Sequence, residues 1–319
     1  MLPTLDDIRA AAAAISGAAI RTPLVRLDAT DDRLEARGLE IYLKLENLQP
    51  IGAFKIRGAA NVMAHTPPAD LARGVLTASA GNMAQGVAWQ ARQLGVPCTV
   101  ICPDSAPETK IRAIEKLGAR VLRVTYEEWW RAFAERSFPG IEGTFVHAFD
   151  DPWVMAGNGT IALEILEDLP EVDAILTPWG GGGLTCGVAV AVRELKPQCR
   201  VYAAEVAGAA PLAAALEAGS PQVIDYQPSF VDGIGSKTVF PQMLERARGL
   251  VAGSLVADVD AVAQALLLML ERNHTLAEGA GAAPVACALA GMAGTGKIVC
   301  VVSGGNIDLE EVVQLIAGK

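Results

Sequence analysis

The chain has 319 residues, 51% hydrophobic and 19% charged, enough for roughly two domains with full cores and too apolar for extended disorder. Its formal net charge is −10 with no block of Lys or Arg, which argues against a nucleic-acid surface. Aromatic residues make up only 5%, and the remaining apolar content, mainly Ala, Val, Leu and Ile, suits close packing of helices on sheets.

The N-terminus reads MLPTLDDIRAAAAAISGAAIR, with Asp6 and Asp7 where a secretory signal would be basic, so a cytoplasmic protein is expected. Strand-like and helix-like runs then alternate. EIYLKLE (40–46) reads as a strand and FKIRGAANVMAH (54–65) as a helix. GVLTAS (74–79) is a strand, followed by the helical NMAQGVAWQARQLG (82–95). CTVICP (98–103), RVLRVT (120–125) and TFVHAF (144–149) are further strands, separated by the helical PETKIRAIEKLG and YEEWWRAFAERS. DAILTPWG (173–180) precedes a helix to about Leu195, and RVYAAE (200–205) is another strand. Near the end come the helix DVDAVAQALLLMLERN, the strand KIVCVVSGG and the helix DLEEVVQLIAG. This alternation predicts an α/β protein whose mainly parallel sheets are flanked by helices.

Two uncharged runs, Ala174–Val192 and Gly279–Thr295, are rich in Gly and Ala and each contains Pro. They read as buried strand-loop-helix and loop-helix segments, not spans of about 20 large apolar residues, so neither a membrane nor a nucleic acid is expected as a partner. Cys98, Cys102, Cys186, Cys199, Cys287 and Cys300 form no CxxC pair and read as buried, reduced thiols. His65, His147 and His274 are far apart in sequence, and no metal site is predicted.

The sharpest signal is Trp179-Gly180-Gly181-Gly182-Gly183-Leu184, after the strand AILTP and before a helix. Ordering four consecutive glycines is entropically costly. A phosphate cradle justifies that cost, because bare backbone can wrap an anion while the helix N-terminus adds positive potential; a tight turn is the plainer alternative. The loop lacks GK[ST], and Thr185 occupies the last glycine position of GxGxxG, so a nucleotide or dinucleotide site is disfavoured. Ser303-Gly304-Gly305-Asn306 and Ser79-Ala80-Gly81-Asn82 also follow strands, where open α/β sheets place ligands. Three such loops favour one shared cleft. Lys55, between Phe54 and Ile56 in ENLQPIGAFKIRG, is either a solvated helix residue or a desolvated amine fit for imine chemistry.

KLENLQPIGAFKIRGA, TASAGNMAQG, FDDPWVMAGNGTI, PWGGGGL, LAEGAGA and SGGNID occur in this order between residues 43 and 308. Together they resemble the threonine dehydratase and serine racemase family of pyridoxal-phosphate enzymes, of fold type II. The resemblance implies two domains with the cofactor in the cleft between them: a large one over 1–73 and 150–319, and a small mobile one over 74–149. It implies that Lys55 holds pyridoxal 5′-phosphate covalently with Phe54 packed beside it, that Asn82 bonds the phenolic oxygen, and that Gly180, Gly181, Gly182, Gly183 and Leu184 hold the phosphate. Ser303 would face the pyridine nitrogen, and Gly233 and Glu278 would line the cofactor pocket. Ser79, Ala80, Gly81, Asn82 and Met83 would receive the substrate. The implied activity is an ammonia-lyase reaction: Lys55 takes the Cα proton of an L-β-hydroxy amino acid (threonine, serine or a bulkier one such as phenylserine), the hydroxyl leaves, and a 2-keto acid and ammonia form. A homodimer is also implied. Racemisation, β-replacement and non-catalytic cofactor binding are the alternatives.

The chain departs from the family's pattern at several positions. Ala80 stands where racemases carry serine, so negligible racemisation is expected. Met83 replaces a usual His and Ala53 a usual Ser, which makes the pocket neighbourhood less polar; family drift is the plainer reading, and a bulkier or more apolar β-substituent the sharper one. Glu205 matches a carboxylate that binds a divalent cation in some members, but Pro211 stands where an Asp should follow, and proline offers no side-chain oxygen. No amino-acid-sensing module is expected after DLEEVVQLIAGK.

Overall fold

The computed structural model describes residues 1–28 and 38–318; of the expected large domain, 29–37 and Lys319 lie outside the described residues. In chain order the described strands are β1 (Leu24–Arg26), β2 (Leu39–Lys44), β3 (Val75–Ala78), β4 (Cys98–Pro103), β5 (Arg120–Val124), β6 (Thr144–Phe145), β7 (Ala174–Pro178), β8 (Arg200–Val206), β9 (Gly253–Ala257) and β10 (Gly296–Val301). They form a six-stranded sheet of order β1-β2-β10-β7-β8-β9 and a four-stranded sheet of order β5-β4-β3-β6. Every pairing is parallel except β1 with β2, as helical crossovers between strands require.

The register carries the functional consequence. Ile298 of β10 lies opposite both Ile41 of β2 and Ala174 of β7. The loops after these three adjacent strands therefore emerge side by side, and they hold Lys55, Ser303 and the tetraglycine. The loop after β3, an inner strand of the second sheet, holds Ser79–Asn82.

Helices cover both faces of the large sheet. Val262, Leu266 and Met269 of the helix Val259–Arg272 pack on one face with Ala282, Val285 and Cys287 of Gly279–Leu289. Ile8, Ile161, Ile165, Val188 and Val192 pack on the other. The acids that argue against a secretory signal have a local role: Asp7 and Thr4 form a reciprocal capping box for the helix Leu5–Ala14. The helix Lys55–His65 is shared. It packs against Pro152–Asp168 on one side and Asn82–Leu94 on the other, and its Ala59, Val62 and Met63 join the core of the four-stranded sheet.

The expected strand over 144–149 is reduced to two residues. Val146 still donates to Leu76 O. His147 Nδ1 then accepts from the amides of Phe149 (3.2 Å) and Asp150 (2.8 Å), and the chain turns. All six cysteines are free and buried. No described helix is long and apolar enough to cross a membrane.

Candidate active site

The loop Glu46–Phe54 is fastened to the loop after β10 before it reaches Lys55. Asn47 N donates to Val302 O (3.0 Å), Phe54 N to Ser303 O (2.9 Å) and Gly305 N to Gly52 O (2.9 Å). Lys55 opens its helix. Its Nζ donates to Ala148 O at 2.8 Å and sits 5.0 Å from the centre of the Phe54 ring. Burial lowers the amine's pKa to about 8, against the opposing pull of Glu278. Behind it Arg57 is bidentate to Glu46 (2.8 and 2.8 Å) and also pairs with Glu164 (2.6 Å), which takes Lys44 Nζ at 2.5 Å. This buried set of two cations and two carboxylates fixes the first turn that presents Lys55.

The tetraglycine follows β7. Gly182 adopts φ +88° and caps the helix Gly183–Leu195, a conformation that disfavours any side chain. A Cβ on Gly181 would overlap the Phe149 ring, and one on Gly182 the Trp179 indole. Among the described residues, none of the amides of Gly180–Leu184 has an acceptor, so five N–H groups stand free at a helix N-terminus.

Across the cleft, Gly81 N donates to Ser79 Oγ (3.2 Å), leaving the hydroxyl hydrogen available. Asn82 Nδ2 donates to both oxygens of Glu278 (2.9 and 3.1 Å), and its Oδ1 accepts from Asn306 Nδ2 (2.8 Å). Burial pushes the Glu278 carboxyl up to about 7, although the Asn82 hydrogen bond favours its charged form. Ser303 is 2% exposed and its hydroxyl has no partner among the described residues.

One cavity of about 940 Å³ brings these groups together. Phe54, Lys55, Ser79, Ala80, Gly81, Asn82, Met83, Gly180, Gly181, Gly182, Gly183, Leu184, Gly233, Glu278 and Ser303 all border it. Met83 contributes only an edge, since it is 2% exposed and packs in the core with Ala59 and Val87. Glu205 lies elsewhere. It is fully buried, and its carboxylate accepts from Leu212 N (2.9 Å), Ala213 N (2.8 Å) and Ser254 Oγ (2.6 Å), so it caps the helix Pro211–Ala218.

Several cavity residues were not singled out from the sequence: Asn306, Lys110 and Asp232, which pair at 2.6 Å, and the rings of Trp129, Trp130, Phe133, Phe149 and Phe240. Asn306 stood in a recognised motif. The rings come from stretches that only the fold unites.

A desolvated amine beside an aromatic ring, five free amides at a helix start and a partnerless hydroxyl at the cavity edge fit a flat, phosphorylated carbonyl coenzyme. Fold and site thus define an α/β enzyme whose cavity is built around a buried lysine. A family model described as pyridoxal-phosphate dependent enzyme matches residues 15–304, and the chain belongs to that family; pyridoxal phosphate is its cofactor, and it is a lyase of the ammonia-lyase type.

The chain is 44% identical over 300 residues to the L-threonine ammonia-lyase of Geobacter sulfurreducens, covering 93% of this chain and 74% of the relative. It is 35% identical over 317 residues to the catabolic L-threonine dehydratase of Escherichia coli K12, covering 98% and 95%. Among solved structures it resembles the processed threonine deaminase isoform 2 of Solanum lycopersicum (TM-score 0.89, 30% identity, 99% and 91% covered). It also resembles the serine racemase of Dictyostelium discoideum (TM-score 0.87, 31% identity, 96% and 99% covered).

Proposed function

We propose that the protein converts an L-β-hydroxy amino acid, with L-threonine as the reference substrate, to a 2-keto acid and ammonia. The observation that carries this reading is the Lys55 amine, held with a lowered pKa between five uncommitted amides and the Ser79–Asn82 loop. Pyridoxal phosphate, when bound, supplies an electron sink that acidifies the Cα proton of the attached amino acid.

The chain's own residues do the rest. The amides of Gly180–Leu184 take the phosphate and fix the coenzyme's register. Ser79 Oγ and the neighbouring backbone amides take the substrate carboxylate, which orients Cα–H toward Lys55. Lys55 Nζ, largely uncharged above about pH 8, takes the Cα proton as general base. Ser303 is a neutral hydroxyl. Facing the pyridine nitrogen, it would not hold a proton there as a carboxylate would, and elimination would be favoured over transamination. The water lost on elimination is regained on hydrolysis, so threonine gives 2-oxobutyrate and ammonia.

Residues 74–149 are proposed to move as a unit over the substrate and exclude water. Glu205, committed to three hydrogen bonds, is proposed to serve as a helix cap and to hold no cation. A homodimer is the proposed assembly. The test is keto-acid release by the purified holoenzyme from L-threonine and L-serine; no release from any β-hydroxy amino acid overturns the reading.

Racemisation needs a proton donor on the second face of Cα. Ala80 presents only a methyl group to the cavity, so D-serine formation from L-serine stays below about one hundredth of the elimination rate, measured by chiral chromatography.

A further inference from the structure

Lys55 Nζ donates to the carbonyl of Ala148, and the next residue begins a wall of rings. Phe149 lies against Gly181, so its ring borders the space between the amine and the glycine loop. From there the rings continue without a break. Phe149 and Phe240 are 5.5 Å apart by centroid, Phe240 and Trp130 5.6 Å, Phe133 and Phe149 5.5 Å, and Trp129 and Phe133 5.9 Å. All five line the cavity.

Five of the twelve Trp and Phe residues of an aromatic-poor chain are gathered here, and they are not all core. Phe133 is 6% exposed and Trp130 is 42% exposed, while Phe149 and Phe240 are half-buried. His147, 4.4 Å from Phe133 and 4.8 Å from Phe149, supports the wall from behind. Burial holds its pKa down to about 3, so it brings no charge to the rings. The charged cavity residues other than Lys55 and Glu278 are Lys110, Asp232, Asp308 and Glu311, and the first two neutralise each other in an ion pair at 2.6 Å.

We propose that this wall is the subsite for the substrate's β-substituent, and that it accepts an aryl or similarly bulky apolar group, so that 3-aryl-serines are substrates beside threonine. The proposal rests on the ammonia-lyase reading above. A methyl group would leave most of the wall uncovered, while the cavity of about 940 Å³ has to hold the coenzyme as well as the substrate. An aryl group gains ring-on-ring contacts of the offset or edge-to-face kind. An apolar pocket discriminates weakly against smaller side chains, so threonine is not rejected.

The test compares kcat/KM of the holoenzyme for L-threonine and L-threo-3-phenylserine by keto-acid release, in the wild type and in Phe240→Ala and Trp130→Ala. Phenylserine is expected to match or exceed threonine, and each truncation to penalise phenylserine at least about tenfold more than threonine. L-Phenylalanine, which has no β-hydroxyl to lose, is expected to change the tryptophan fluorescence of the holoenzyme where L-alanine does not, and Trp130→Phe to reduce that change. Efficient threonine turnover with phenylserine about a thousandfold poorer overturns the subsite alone, as do truncations that lower both substrates equally. Turnover of neither substrate overturns the ammonia-lyase reading and the subsite with it.

Discussion

Lys55 and Glu278 share one cavity and pull each other's protonation in opposite directions. The amine is lowered to about 8 mainly by burial, and the carboxylate favours the ammonium. Glu278→Gln removes that support, so the pKa of Lys55 falls further. Coenzyme uptake needs the uncharged amine and therefore rises with pH through about 8 in the wild type. In the variant the rise occurs at lower pH, and uptake by the apoprotein at pH 7 is faster by roughly threefold, read from the growth of the bound-coenzyme absorbance. Asn82 reports the same coupling, because its amide hydrogens are committed to Glu278. At this scale the sequence was informative. A lysine in an apolar loop and a run of four glycines are local signals with local causes. Met83 borders the cavity, but most of its side chain packs in the core of the four-stranded sheet, which its neighbours in sequence did not signal.

The helix Lys55–His65 depends on the buried charges behind it. Arg57 is 1% exposed and Glu46 fully buried; the carboxyl of Glu46 stays below its usual range although burial alone would raise it, because Arg57 and Thr22 favour its charged form. Arg57→Met leaves two carboxylates facing one lysine and costs about 3–5 kcal/mol, measured as the loss in unfolding free energy by denaturant titration of the apoprotein. The elements that sequence patterning missed differ in their physical reasons. The helix Pro152–Asp168 is buried over most of its length and so shows no amphipathic period, while Gly157 within it, which lowers helix propensity, sits where a Cβ would overlap Arg57 O. The helices Leu5–Ala14, Pro211–Ala218 and Pro241–Arg248 also went unread. So did β1, three residues long, and β9, which opens on Gly253 and is not fully buried until Ala257.

For the whole molecule, the strand alternation was legible because parallel sheets force helical crossovers, whereas the particular contacts made between distant stretches were not. Lys110, on the helix Glu108–Lys116, reaches Asp232 beyond β8 at 2.6 Å, and Phe240 meets rings from 129–149. Such contacts between distant stretches leave no pattern in either partner. The ion pair is exposed (33% and 64%) and contributes only about 0.2–1 kcal/mol. Lys110→Ala therefore raises KM for threonine less than about fivefold, with the difference from wild type vanishing as salt is added, both read from steady-state kinetics across ionic strength.

The helix that begins with Lys55 is wedged between Asn82–Leu94 and Pro152–Asp168, with one flank in each unit of the fold. In the proposed reaction it would act as a lever whose short end is the Lys55 amine. The proposed swing of residues 74–149 would reach that amine through packed side chains, so that admitting a substrate and aiming the base would be a single mechanical event.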